Sequence, residues 1–358
     1  MKRKIGMIAS VVVFFVLGVA LSAVQAEQKP IKLKWGSVMA APGIAPMGDV
    51  AKSYQDEVTK RTNGAVTFES FWSASLGAPA EYIEMLKNGV VQVIQTHQWY
   101  TPSRMPLGEF EYVFPFGPTD AELVVKAMRQ IRSEFPEFAK ELSDNNAILL
   151  ADPPQGAYYM LSTVPITSIA DFKGKKVALV GRYFGREMPP GAVAVVRPAH
   201  ERYDLLNSGV TQVNLDPWDN MYAFKLHEVT NYYLDNLSLL LACPMGIFMN
   251  LNTFKSLDPE TQKIMLDAGK NVELRTATEI LPQWLKKTQD LWRAKGIKWI
   301  TFPDEEKVKW AATLEDIPAE WAADVEKLGL PGFKIVQRWQ EITESLGYKW
   351  NRKWGVKK

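Results

Sequence analysis

The stretch from Ile31 to Thr96 constrains the fold most, because its hydrophobic period switches repeatedly between that of a strand and that of a helix. In IKLKWGSV, Ile31, Leu33 and Trp35 alternate with other residues, the pattern of a strand with one buried face. DVAKSYQDEVTKRTNG then sets Val50, Tyr54 and Val58 on one helical stripe and stops at Asn63-Gly64, residues that accept the left-handed turn closing a helix. AVTFESF reads as a second strand, AEYIEMLKNG as a helix closed by Gly89, and VVQVIQT as a third strand. Strands separated by helices are the signature of a parallel sheet covered by helices, so the fold class is α/β.

The same grammar returns later. MLKNGVVQVIQ (residues 85–95) and LLNSGVTQVNL (residues 205–215) each run from a helix end through a glycine cap into a V-x-Q-V strand, which implies two lobes of similar build. AILLAD (147–152) is expected to leave the first lobe and enter the second. A long helical segment starts at the Asp258-Pro259-Glu260 cap and closes at Gly296; it can serve as a spine across both lobes, with Pro282 kinking or dividing it. The expected partition is lobe I over 27–150 plus about 243–280, and lobe II over 151–242 plus about 281–358. The tryptophans of the last part, including Trp310, Trp321, Trp339 and Trp354, are expected mainly as packing residues.

The N-terminus carries Lys2, Arg3 and Lys4, an apolar run from Val11 to about Val19, and small residues leading to Ala26. This is the layout of a secretory signal peptide cleaved after Ala26, which places the mature chain in the periplasm; an uncleaved anchor is the competing reading, against which the short apolar run counts. Removing the signal takes the formal balance from +2 to about −1. No basic stripe remains to argue for nucleic acid. The single cysteine, Cys243, allows no intramolecular disulfide, so stability must come from a core.

Catalytic apparatus is hard to find. His97, His200 and His227 are too scattered for a metal site read from spacing, GRYFGRE lacks the Lys-Ser/Thr ending of a phosphate loop, and no G-x-S-x-G elbow occurs. Neither metal nor cofactor is expected. The pairs Glu109/Glu111 and Glu305/Glu306 read as solvated charges. An exported two-lobed α/β chain of this kind is most economically a binding protein, with its ligand in the crevice at the carboxyl ends of the strands. A secreted lyase or hydrolase using Asp216 with a histidine, and a sensor subunit presenting ligand to a receptor, are the alternatives.

LGAPAEYIEMLKNGVVQV, PITSIADFKGKKVALV, HERYDLLNSGVTQV, LHEVTNYY and FMNLNTFKSLDPETQKIM occur in one order and spacing. In this the chain resembles the extracytoplasmic solute-binding subunits of tripartite ATP-independent periplasmic (TRAP) transporters. The resemblance implies a two-lobed periplasmic solute-binding fold with mixed and parallel sheets, hinge strands and a lobe-spanning helix. It also implies closure around one small solute and delivery to the membrane subunits of the carrier; a monomer is expected. Family members usually clasp a carboxylate with an arginine on the strand after the D-x-K-G turn, where this chain has Ala178, and with a second arginine matched here by Tyr158. Losing such charge-assisted bonds costs an acid ligand on the order of a hundredfold in affinity. Either Arg182, with Arg186 as substitute, supplies the cation, or the ligand is neutral, cationic, aromatic or a polyol and Tyr158 donates a neutral hydrogen bond.

The remaining wall candidates follow the same layout. Asp216 and Trp218 in NLDPWDN match a polar contact and a lid, and Asn250 opens the N-x-x-x-[WF] element beside the hinge. Trp99 and Tyr100 in THQWY end the third strand and are expected to point into the crevice.

Overall fold

A computed structural model describes residues 30–179, 184–239 and 244–356. The expected signal peptide at 1–26, Arg182 and Cys243 lie outside the described residues. Strands β1 (Ile31–Ser37), β2 (Val66–Phe71), β3 (Val93–Thr96), β4 (Ala147–Ala151) and β10 (Gly246–Asn250) form one sheet in the order β2-β1-β3-β10-β4. Strands β5 (Tyr158–Ser162), β6 (Lys176–Leu179), β7 (Val193–Val196), β8 (Val213–Pro217), β9 (Tyr232–Leu234) and β11 (Lys298–Ile300) form the other, in the order β11-β9-β5-β8-β6-β7. Within each sheet the strand–helix–strand units pair in parallel, as the alternating pattern requires. The strands that arrive from elsewhere in the chain, β10 and β5, pair antiparallel with β3 and β8.

The two V-x-Q-V joints are equivalent down to single hydrogen bonds. Helix Tyr82–Lys87 ends at Gly89 and helix Arg202–Asn207 at Gly209, both glycines at φ 72°, a region costly for a side chain. Gln92 Nε2 donates to Gly89 O (3.0 Å) while its Oε1 accepts from Lys34 N (3.0 Å). Gln212 repeats both bonds, to Gly209 O (2.8 Å) and from Lys176 N (3.1 Å). Each glutamine thus locks a helix cap to the neighbouring strand and fixes where β3 and β8 begin. Their carboxyl ends are thereby fixed too.

Among the described residues, three crossings join the sheets. Residues 152–157 lead from β4 to β5, and Pro154 forms an antiparallel bridge with Pro244 just ahead of β10. The third crossing is the long helix, built as Pro259–Arg275, a π turn Thr276–Ile280 and Leu281–Ala294. The π turn stands immediately before Pro282, whose missing N–H and ring bulk a regular α-helix cannot absorb. This helix touches both sides: Tyr54 Oη donates to Met265 O (3.2 Å) and Trp284 Nε1 to Asp49 Oδ2 (2.8 Å), while Trp292 packs on Tyr233 of β9.

A single cut near residue 150 does not separate the cores. Leu107, Phe110, Phe114 and Met128, which precede β4, share one apolar cluster with Val177, Leu179, Val213 and Leu215 of the second sheet. Trp310, Trp321, Trp339 and Trp354 are buried in that same cluster, as packing residues. Among the described residues no helix is long and apolar enough to cross a membrane.

Candidate functional site

Past β3 the chain makes a short turn of 3-10 helix, Gln98–Tyr100; past β8 the equivalent segment opens helix Trp218–Ala223. These two segments and the 152–157 crossing surround one polar and aromatic cluster. Burial, and after it the charge of Asp216, push the Tyr100 phenol up to about 12. Gln155, on the crossing itself, donates Nε2 to Asp219 Oδ2 (3.2 Å) on one side and stands beside His97 on the other.

The first sheet contributes mainly rings. Trp99 lies against Tyr100 with centroids 4.2 Å apart, and against Tyr112 at 5.2 Å and His97 at 5.9 Å. Such a cluster offers both apolar area and ring edges to a flat or partly apolar guest. His97 Nδ1 is 2.9 Å from Tyr112 Oη and 3.2 Å from Pro244 O, and burial lowers its pKa to about 4, so it is neutral at pH 7. A histidine held neutral and fixed to the hinge backbone is a positioning element here.

The second sheet contributes charge. Asp216, fully buried, pairs with Arg202 of helix Arg202–Asn207 and also accepts from Asn220 Nδ2 (3.2 Å). Burial raises the Asp216 pKa while Arg202 opposes the rise. Asp219 has no such cation: burial pushes its carboxyl up to about 7 against the hydrogen bond from Gln155. Between about pH 4 and 7 the folded state therefore holds a proton on Asp219 that the unfolded chain releases, so this group makes stability fall as pH rises. Glu141, raised to about 7 by burial, acts in the same window. Asp219→Asn is expected to flatten the decline in urea stability between about pH 4 and 7 without abolishing it; an unchanged slope would contradict the assignment.

Several expected wall residues hold other places. Trp218 is no loose lid: it is buried, its backbone N–H donates to Ala157 O (3.3 Å), and its indole covers Gly156, where a Cβ would come within 2.6 Å of Nε1. Tyr158 is buried at the crevice end of β5 but shares its side of the sheet with the apolar cluster, opposite to Asp216 in the pleat. Asn250 does not reach the crevice. It closes β10 at the end away from the carboxyl end of β3, where its Oδ1 caps helix Leu251–Ser256 through Thr253 N (2.9 Å) and its Nδ2 donates to Leu86 O (2.7 Å). Arg186 is not the substitute cation, because its guanidinium is engaged by Glu315 and Glu320. Glu109 and Glu111 are buried, not solvated, and Arg132 reaches Glu111 at 3.3 Å. Arg202 carries no local sequence signal: its link to Asp216 exists only once its helix folds back over β8. No group of His, Cys, Asp and Glu among the described residues could hold a metal ion.

Comparison with known proteins agrees with this architecture. Among curated relatives, the ectoine/5-hydroxyectoine-binding periplasmic protein of Ruegeria pomeroyi is 23% identical over 70% of this chain and 73% of its own. The C4-dicarboxylate-binding periplasmic protein of Rhodobacter capsulatus is 30% identical over 60% of this chain and 64% of its own, just under two thirds of its length. A marine-metagenome TRAP solute-binding protein specific for aromatic acid ligands superposes with a TM-score of 0.75 at 23% identity, covering 89% of this chain and 100% of that one. A TRAP periplasmic solute-binding protein from Desulfovibrio salexigens reaches 0.78 at 19% identity, covering 89% and 98%. These likenesses carry the two-lobed fold. The sequence profile of one family matches residues 37–324, and the chain belongs to it: the bacterial extracellular solute-binding proteins, family 7.

Proposed function

We propose that the protein is the periplasmic receptor of a TRAP-type carrier, exported by a signal peptide cleaved after Ala26, acting as a monomer and handing its solute to the membrane subunits. The observation that carries this reading is Gln155 of the hinge, which donates to Asp219 past β8 (3.2 Å) and stands beside His97 past β3. A solute seated there gains contacts from both lobes only when they close, so binding shifts the population toward the closed form. Trp99, Tyr100, Asp216 and Asp219 are the proposed wall, which suits a small organic solute with a ring or other apolar body. The relatives described above are binding proteins for ectoine, C4-dicarboxylates and aromatic acids, a range compatible with this wall. Micromolar capture needs only about −8 kcal/mol, within reach of one buried ring and a few hydrogen bonds. A thermal-shift screen of organic acids, amides, aromatics and polyols is expected to return compounds that raise Tm by several degrees and change tryptophan emission. Turnover of a stabilising compound, lost in Asp216→Ala, would favour an enzyme instead.

A further inference from the structure

We propose that Arg202 is the ligand-anchoring cation of this receptor and that its free guanidinium edge takes a carboxylate, which makes the solute an organic acid. The inference rests on the solute-receptor reading above and adds the chemical class of the solute. Arg202 has no exposed surface. Its Nη1 donates both to the Asp216 carboxylate and to Leu215 O (3.2 Å), which uses that nitrogen's two hydrogens. Nε and Nη2 have no hydrogen-bond partner among the described residues. Those two nitrogens form one edge of the rigid plane, with two parallel N–H vectors that match the two oxygens of a carboxylate.

The surroundings point the same way. Both oxygens of Asp216 are engaged, one by Arg202 and one by Asn220, so the acid orients the guanidinium and has no oxygen left for its other edge. Asn214 lies two residues back on the same face of β8, fully buried, with both amide atoms unpartnered. Its partner in register on β6 is Ala178, one of the smallest side chains. A purely structural role for the cation is opposed by the internal repeat. Tyr82 opens the equivalent helix of the first lobe and Thr96 ends the equivalent strand, so the fold accepts a neutral pair where the second lobe has Arg202 and Asp216. A buried guanidinium with one whole edge unsatisfied is costly, and a bound carboxylate removes that cost.

The test is a thermal-shift panel containing benzoate, pyroglutamate, orotate, succinate and glucuronate, with a broad set of further metabolic acids, each beside the neutral amide or alcohol of the same skeleton. Wild type is compared with Arg202→Lys, which keeps the charge but lacks the edge, and with the double variant Arg202→Met/Asp216→Asn, which removes the ion pair as a unit. Circular dichroism and the ligand-free Tm establish folding; if the double variant does not fold, Arg202→Lys decides. Acids are expected to stabilise wild type, their neutral partners not, and acid affinity to fall about a hundredfold in the variants. Acids acting equally on wild type and variants, or stabilisation by neutral compounds alone, would overturn the anchor and leave the receptor reading intact. Failure of every compound to stabilise wild type contradicts the receptor reading itself.

Discussion

Arg132→Met is expected to cost roughly 3–5 kcal/mol of folding stability, the loss typical of stripping one partner from a buried ionic cluster. Arg132 projects from helix Ala121–Glu134 and donates Nε to Asp152 Oδ2 (2.8 Å) and Nη2 to Gln98 Oε1 (3.0 Å) and Glu111 Oε1 (3.3 Å). Its guanidinium also lies 5.2 Å from the Phe138 ring. Asp152 in turn donates its N–H to Glu273 Oε1 (2.6 Å), and Glu273 accepts from Arg129 Nε (2.7 Å). One cation thus ties together the turn after β3, the crossing into β5 and the spine helix. Without it, Glu111 and Asp152 remain buried side by side; burial and Asp152 already raise the Glu111 pKa well above the ordinary range, and Arg132 is what opposes them. Urea titration followed by circular dichroism reads the loss as a lowered midpoint at constant m-value. Arg132→Lys should recover only part of it, since an ammonium cannot span the same fork. A cost below about 1 kcal/mol for Arg132→Met would show that the cluster is not a structural anchor.

Gly269→Ala runs against helix propensity. In an open helix the change is worth about 1 kcal/mol of stabilisation, but Gly269 sits where helix Pro259–Arg275 crosses β4, and an added Cβ would overlap the Leu150 carbonyl oxygen. Neither backbone can yield without separating helix from strand. The expected result is a net loss of about 2–3 kcal/mol, the range of an overpacked core, read as a lowered urea midpoint. Equal or higher stability would mean the spine helix is free to shift on the first sheet. Gly64, with nothing near its missing Cβ but a φ of 83°, is a control in which strain acts without contact.

Much of the architecture was legible because it depends on local periodicity. Asn63 and Gly64 stop the first helix in left-handed conformations, and Pro282 interrupts the long helix at the turn before it. The matched V-x-Q-V joints prove to be a structural repeat down to the role of Gln92 and Gln212. What local pattern could not give was partnership across the chain. Glu109 and Glu111 look like solvated acids in sequence, but the fold carries Arg132 to Glu111 and buries both acids. Asn250 resembles a crevice residue through its motif, although strand direction puts it at the far end of β10. Arg202 reads as an ordinary first-turn residue until its helix lies over Asp216. The site is the least local part of the molecule, since its parts come from two sheets and a hinge.

Small-angle scattering tests the central claim most directly. The claim is that one small solute is gripped by residues of both sheets at the hinge. Addition of a stabilising compound is expected to reduce the radius of gyration and shift tryptophan emission together, over the same concentration range. A compound that binds with saturable affinity yet leaves both unchanged would contradict gripping from both sides.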